Sequence, residues 1–314
     1  MTKFIKPYGI TLPPIKKVFK WKFGTLFTKK RAWVEDDDFK LTVHPLTATD
    51  LERDEDFIIW LGHATFYIQI DGVKILTDPV FGDVPLTPRL AKFPIDGSAL
   101  DPDIILISHG HYDHLDMKSL ETLEVYAKQT KIVMPLNLSS YFKKTINATE
   151  LDWYENYEDT DIRIEAVPAS HWHRRGVFDF NRALWCSFVI KGKNKTLFFA
   201  GDTAMDGHFE EIAKKLDPID IALMPIGAYE PREIMKDNHM NPQEALEAAE
   251  ILGVKQMIPY HYATFKLTAE PIGEPHSWMM RLAKETDVGV CILDVGEILN
   301  IDKSLRGVNS TTQT

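Results

Sequence analysis

Cysteine is nearly absent. Cys186 and Cys291 are the only two, and they stand far apart. This excludes a disulfide framework and a Cys-rich structural zinc site, and it suits a reducing compartment, so a cytoplasmic location is expected. Long apolar runs are missing as well. None reaches the ~20 residues that a helix needs to cross a bilayer. The first residues carry lysines but neither a compact apolar core nor a small-residue cleavage site, so no signal peptide is expected. Positive charge is scarce beyond the N-terminus. Residues 1–34 hold nine Lys/Arg and no acid, whereas the other 280 hold 27 basic and 46 acidic residues, a net −19 inside a total of −10. An acidic body argues against RNA or DNA as a partner. There is no low-complexity segment and no fixed-period repeat.

What is present is enough for a sizeable core: 44% hydrophobic residues, with seven Trp and seventeen Phe in 314 positions. The informative motifs run from about residue 57 to 262 and must converge on one site, which favours a single domain over 41–302. A basic amphipathic extension over 1–40 and a polar, mobile tail over 303–314 complete the expected organisation. The extension interleaves its lysines with Phe4, Tyr8, Trp21 and Phe27. Such a mixture either packs on the domain with its lysines in water or rests on an anionic membrane surface.

The chemistry is concentrated in His109-Gly-His-Tyr-Asp-His114, directly after the apolar run Asp103-Ile-Ile-Leu-Ile-Ser108. Four ligating side chains in six residues, imidazoles plus a carboxylate, suit zinc or another borderline divalent ion. His109 and His111 are two apart in an extended loop, so both can lean on one ion. Asp113 and His114 come where the chain turns toward a helix, beside a second. Gly110 removes a Cβ where the loop bends. Three further candidates each end a strand-like run: His171 after Asp161–Val167, Asp202 in Leu197-Phe-Phe-Ala-Gly-Asp-Thr203, and His261 after Gln256–Tyr260. Ligands collect at the carboxyl ends of strands in layered α/β folds.

The 109–114 segment resembles the His-x-His-x-Asp-His signature of the metallo-β-lactamase superfamily. A narrower likeness rests on a string of motifs in fixed order: Trp60-Leu-Gly-His-Ala-Thr65, Leu76-Thr-Asp-Pro79, His171-Trp-His-Arg-Arg175, Phe199-Ala-Gly-Asp-Thr203, Pro225-Ile-Gly-Ala-Tyr-Glu-Pro-Arg232 and His239-Met-Asn-Pro242. The string is similar to the branch that contains phospholipases D hydrolysing N-acyl-phosphatidylethanolamine. The resemblance implies an αββα four-layer sandwich of two mixed β-sheets flanked by helices, with a two-metal site at one edge. It implies that His109, His111 and His171 bind one zinc, that Asp113, His114 and His261 bind the other, and that Asp202 bridges both. The chain departs from that branch at Glu233 and at Tyr262-Ala263, positions expected near the pocket.

The expected cofactor is therefore two divalent ions, Zn2+ first. Two such ions less Asp113, Asp202 and a shared hydroxide leave about one positive charge in a water-poor cavity, which favours a phosphodiester. The expected function is a phosphodiesterase of phospholipase D type acting on N-acyl-phosphatidylethanolamine or a related diester. The alternatives are a lactonase-type hydrolase of a phosphorylated sugar acid or other small ester, and a non-catalytic metal- or lipid-binding protein. Asp113, Asp202 and His239 are the candidate catalytic residues. Arg174 and Arg175 are candidates to fork onto phosphate oxygens, with Tyr229 and Arg232 as further substrate contacts. His63 and Asp78 are expected to orient ligating imidazoles. His173 reads as a neighbour of His171, and His44, His208 and His276 fit no ligand pattern. The expected partners are an anionic lipid substrate and a membrane surface touched by the basic extension. The assembly is left open between a monomer and a homodimer.

Short strands are expected at 57–61, 65–70, 73–77, 104–108, 131–134, 161–167, 184–190, 196–200, 221–225, 256–258 and 290–295. Asp71-Gly72 and Gly192–Lys195 mark hairpin turns. Helices are expected at 117–128, 137–144, 207–216, 242–252 and 275–286. In the helix from 242, Asn241 is the cap, Pro242 opens the first turn, Glu244 completes the cap and Gly253 ends it. The stretches 79–103 and 225–242 lack periodicity and are the expected pocket-lining loops.

Overall fold

The computed structural model describes residues 3, 4, 7, 8 and 38–311. Most of the expected extension over 1–40 therefore lies outside the described residues. Six strands come first: β1 (Phe57–Gly62), β2 (Thr65–Ile70), β3 (Val73–Thr77), β4 (Ile104–Leu106), β5 (Lys131–Pro135) and β6 (Ala148–Leu151). Seven more follow: β7 (Asn156–Glu158), β8 (Arg163–Val167), β9 (Ser187–Lys191), β10 (Thr196–Phe199), β11 (Ile221–Pro225), β12 (Gln256–Tyr260) and β13 (Gly289–Val290). The last strand, β14 (Ile298–Asn300), returns to the first group. Two seven-stranded mixed sheets result, ordered β14-β1-β2-β3-β4-β5-β6 and β13-β12-β11-β10-β9-β8-β7. Each is antiparallel at one end and parallel at the other.

The period of two in β1 shows how the layers form. Ile58 and Trp60 join the core between the sheets, with Phe66, Phe188 and Phe199. Phe57, Ile59 and Leu61 face the other way, into a second cluster with Leu120, Leu123 and Val125. Those last residues belong to α1 (Met117–Thr122) and α2 (Val125–Lys128) or to the link between them. The outer face of the second sheet is covered by α3 (His208–Lys215) and α5 (Pro242–Leu252), the latter burying Ala245, Leu246, Ala249 and Leu252. A strand buried on both faces reads as a continuous apolar run rather than an alternation, and Phe57-Ile-Ile-Trp-Leu61 does so. The expected αββα sandwich is the architecture observed. The remaining helices are α4 (Arg232–Met235), α6 (Glu274–Leu282) and α7 (Ile301–Thr311).

Local signals account for much of this. Asp71 and Gly72 both take positive φ, +51° and +82°, as a two-residue hairpin turn of the favoured hand requires. Asn241 accepts from the Glu244 N–H while Glu244 returns to the Asn241 N–H, closing the expected capping box. Other expectations fail for identifiable reasons. The helix expected over 117–128 breaks at Glu124, which sits at φ +55°. The one expected over 137–144 is a single 3-10 turn, Leu138–Tyr141. Residues 301–311 are helical, not an irregular tail, because Ile301 and Leu305, four apart, both reach the core. Strands β6, β7 and β14 escape a reading based on apolar runs, because they are short and largely half-buried or exposed. Among the described residues, no helix is long and apolar enough to cross a membrane.

The described N-terminal residues touch the domain. Tyr8 donates to Glu211 (2.6 Å) and its ring packs on His208. Lys215 and Tyr154 also hydrogen-bond Glu211. Together they lower its carboxyl from 4.5 to about 2, the Lys215 bond contributing most. A carboxyl lowered on folding stabilises the folded state above its unfolded value and loses that contribution as pH falls through the folded one. Glu211→Gln is therefore expected to flatten the fall in Tm between pH 4.5 and about 2. Thermal melts across that range check it, and an acid slope equal to wild type would refute it.

Candidate metal centre

Each ligand candidate stands just beyond a strand, at the edge where the two sheets meet. His109 follows β4, His171 follows β8, Asp202 follows β10 and His261 follows β12. Asp78 follows β3, and His63 lies in the turn between β1 and β2. All six side chains are buried.

Two groups of donors form. His109 Nε2 lies 2.9 Å from His111 Nδ1, and His171 Nε2 lies 3.2 Å from the same atom. In the second group, His114 Nε2 is 3.4 Å from His261 Nε2, with Asp113 Oδ2 at 3.7 and 3.9 Å from those two nitrogens. Asp202 stands between the groups. Its Oδ2 is 3.2 Å from His114 Nε2 and 3.9 Å from both His109 Nε2 and His171 Nε2, while its Oδ1 is 3.0 Å from His261 Nε2. The seven candidate ligands are thus brought together from four separate segments.

Hydrogen bonds behind the imidazoles set which nitrogen faces inward. The Asn238 carbonyl, 3.0 Å from His171 Nδ1, can only accept, so Nδ1 carries the proton and the Nε2 lone pair points into the centre. Ser108 Oγ donates to Asp78 Oδ2 (2.6 Å), so it accepts from His109 Nδ1 (3.0 Å), which again frees Nε2. Asp78 also takes His114 Nδ1 at 2.7 Å and the Ser108 N–H. Asp78 therefore orients His114 directly and His109 through Ser108, a residue that the sequence reading passed over. His63 Nε2 meets Asp113 Oδ2 at 3.1 Å. Asp78 thus meets the imidazole of a candidate ligand, whereas His63, expected to orient an imidazole, meets a carboxylate.

Lone pairs facing one another at about 3 Å repel unless a proton or a cation lies between them. Nitrogens around one tetrahedral ion at 2.0–2.1 Å stand about 3.3 Å apart, close to the 2.9–3.4 Å spacings here. Proton affinity argues the same way. Burial, then neighbouring imidazoles, hold His109 and His111 well below the usual histidine value, and burial brings His171 down to about 4. Burial would raise Asp202, but the surrounding imidazoles, His114 foremost, hold it well below its usual value. Burial also works against a charged His114, yet Asp202 and Asp113 keep its proton affinity high. Ionised carboxylates beside the neutral imidazoles of His109, His111 and His171, with a proton on His114 that a cation would replace, form a donor set that fits divalent cations.

His239 faces the same centre. Its Nδ1 is buried without a hydrogen-bond partner, 3.8 Å from Asp202 Oδ2, and its ring lies against His171 and His261. The four expected substrate contacts are placed elsewhere. The Arg175 guanidinium donates to the Gly110 and Leu115 carbonyls (2.9 and 2.7 Å) and lies over Tyr112, so it braces the ligand loop. Arg174 folds back onto Gly176 and Val177 carbonyls. Tyr229 is buried and donates to Glu274. Arg232 bonds the His239 carbonyl (3.0 Å) and Glu244 (2.5 Å), so it fixes the loop that presents His239. Each guanidinium is drawn to carbonyls or a carboxylate already on the protein, which a motif cannot reveal. Of the departures from the branch pattern, Glu233 is exposed and Tyr262 packs on Trp60.

His173 also has a role beyond adjacency. A Cβ on Gly110 would lie 2.1 Å from its ring, so the glycine makes room for His173 rather than for an unusual backbone angle. His173 Nε2 in turn meets Tyr141 Oη at 2.9 Å, and Tyr141 donates to Asp179.

Comparison with known proteins agrees with this architecture. A family model described as "Beta-lactamase superfamily domain" matches residues 73–262. The chain is 35% identical over 292 residues to N-acyl-phosphatidylethanolamine-hydrolyzing phospholipase D 1 of Caenorhabditis elegans, covering 83% of this chain and 80% of that protein. It is 30% identical to a UPF0173 metal-dependent hydrolase of Methanopyrus kandleri, covering 76% of this chain and 97% of the relative. Its fold is similar to that of a metallo hydrolase from Ignicoccus hospitalis, with a TM-score of 0.59 and 21% identity over 78% of this chain and 97% of that one.

Proposed function

The chain belongs to the metallo-β-lactamase superfamily as a metal-dependent hydrolase, and from that premise we propose that it is a binuclear, zinc-dependent phosphodiesterase of phospholipase D type. The observation that carries the reading is the position of the Asp202 carboxylate, with one oxygen facing His109, His171 and His114 and the other facing His261. In this reading His109, His111 and His171 hold one ion, Asp113, His114 and His261 hold the second, and Asp202 is shared. When bound, two such ions supply Lewis acidity to a phosphoryl oxygen and make water nucleophilic near neutral pH.

The protein's own groups do the rest. Asp78 and Ser108 keep His109 and His114 in the tautomers that present Nε2. The Asn238 carbonyl does the same for His171 and belongs to the segment that carries His239. The unpartnered Nδ1 of His239 is placed to donate to an oxygen of the substrate. The resemblance to a phospholipase D at 35% identity supports N-acyl-phosphatidylethanolamine or a related diester as the substrate class.

Two measurements test the proposal. Elemental analysis of the purified protein is expected to give about two zinc per chain. A panel of a chromogenic phosphodiester, N-acyl-phosphatidylethanolamine and simple lactones is expected to show diester cleavage that stops on chelation. Faster turnover of a lactone than of any diester would reverse the ranking, and bound metal with no turnover would point to a binding protein. His239→Ala is expected to lower kcat about 100-fold with metal content unchanged. Loss of metal instead would make His239 a ligand.

A further inference from the structure

Among the described residues the exposed large apolar side chains lie on loops near the metal centre, Met280 on α6 excepted. Val177 (72% exposed) and Phe178 (83% exposed) form a loop tip six and seven residues beyond His171. The tip is tied to the ligand loop, because Arg175 grips the Gly110 and Leu115 carbonyls and the exposed Tyr112 donates to the Arg175 carbonyl. Leu86 and Leu90, also exposed, lie on a second loop. That loop is fastened at Leu90 N–H to the carbonyl of Thr264, whose hydroxyl holds His63. Both tips therefore grow from backbone that builds the metal centre.

Charge selects what such a tip touches. Arg174 and Arg182 flank it along the chain, and Lys3 lies over Phe180 at 5.6 Å. Against these stands Asp179, which is already engaged by Tyr141 and the Gly176 and Arg175 N–H groups. The Phe4 N–H donates to the Asn181 carbonyl (2.7 Å), so Lys3 and Phe4 are held beside the same loop. Lys3 is one of nine Lys/Arg in residues 1–34, a stretch without an acid. At the tip, exposed apolar side chains and a local excess of cations coincide.

We propose that the Val177–Phe178 tip inserts into an anionic phospholipid bilayer, with the neighbouring cations against the headgroups, and so turns the metal centre toward the membrane. Apolar insertion combined with a polybasic contact is the pairing that gives stable peripheral binding where either alone is marginal. The proposal rests on the reading of the site as one that acts on lipid diesters, but its test does not.

The test is co-sedimentation of the full chain with phosphatidylcholine vesicles, with and without phosphatidylglycerol, at low and high salt. The wild type is expected to bind the anionic vesicles and to be weakened by salt. The double variant V177S/F178S is expected to bind at least about tenfold more weakly, since two exposed apolar side chains lose their burial. Its Tm and its turnover of a water-soluble chromogenic diester are expected to match wild type. Equal binding by wild type and variant overturns the proposal, as does a wild type that ignores anionic vesicles. A wild-type dimer that the double variant dissociates into monomers also overturns it, by showing the tip to be a protein interface. Tip-dependent vesicle binding by a protein that cleaves no diester leaves the docking surface standing and removes the phosphodiesterase reading.

Discussion

Asp202→Asn is expected to reduce hydrolysis by about three orders of magnitude or more while leaving the fold intact. The amide occupies the same volume, so the core around Gly201 and Thr203 has no reason to repack. The chemistry changes at two points. An amide offers one neutral oxygen where the carboxylate offered two charged ones, so it cannot serve both donor groups. The high proton affinity of His114, which Asp202 supports more than any other neighbour, falls as well. Turnover should be measured with metal content and circular dichroism on the same preparation. A variant that carries two ions per chain and turns over near the wild-type rate would remove the bridging role and with it the binuclear reading.

Gly227→Ala is expected to have the second largest effect, without touching any ligand. A Cβ there would lie 2.0 Å from the His261 carbonyl oxygen and 3.0 Å from its carbon, both backbone atoms. No rotamer change can relieve such a contact. His261 is itself at φ +67°, a conformation uncommon for a residue with a side chain. The clash must therefore push the His261 backbone away from His114 and Asp202. Displacement of a reacting group by an ångström costs on the order of 100-fold in rate, and overpacking costs about 1–3 kcal/mol in stability. Gly82→Ala is the control, because nothing lies within 4 Å of its added Cβ. Steady-state kinetics and urea denaturation of the two variants together test the claim. If Gly227→Ala retains wild-type activity and midpoint, the close approach is not what holds His261.

Legibility in the sequence followed physical type. Strands β1 and β11 could be read because they are buried on both faces and are apolar throughout. The β2–β3 hairpin and the start of α5 could be read because Asp71-Gly72 and Asn241-Pro242-Gln243-Glu244 act through bonds a few residues long. Short edge strands carry no such signature. The four residues expected as substrate contacts are engaged within the protein for a related reason. Arg174, Arg175, Tyr229 and Arg232 have the right chemistry for a phosphate, but each finds a partner on the protein that is either local or brought close by folding.

The chain by itself determined the donor types, their order along the polypeptide and the strand ends that carry them, because those features depend on residue identity and near-neighbour bonding. Only the tertiary structure decided which nitrogen of each imidazole faces inward, that Asp202 stands between the two donor groups, and that Arg175 and Arg232 hold loops. Those outcomes depend on which carbonyls, hydroxyls and carboxylates from distant segments arrive within hydrogen-bonding reach, and that is settled when the two sheets pack face to face.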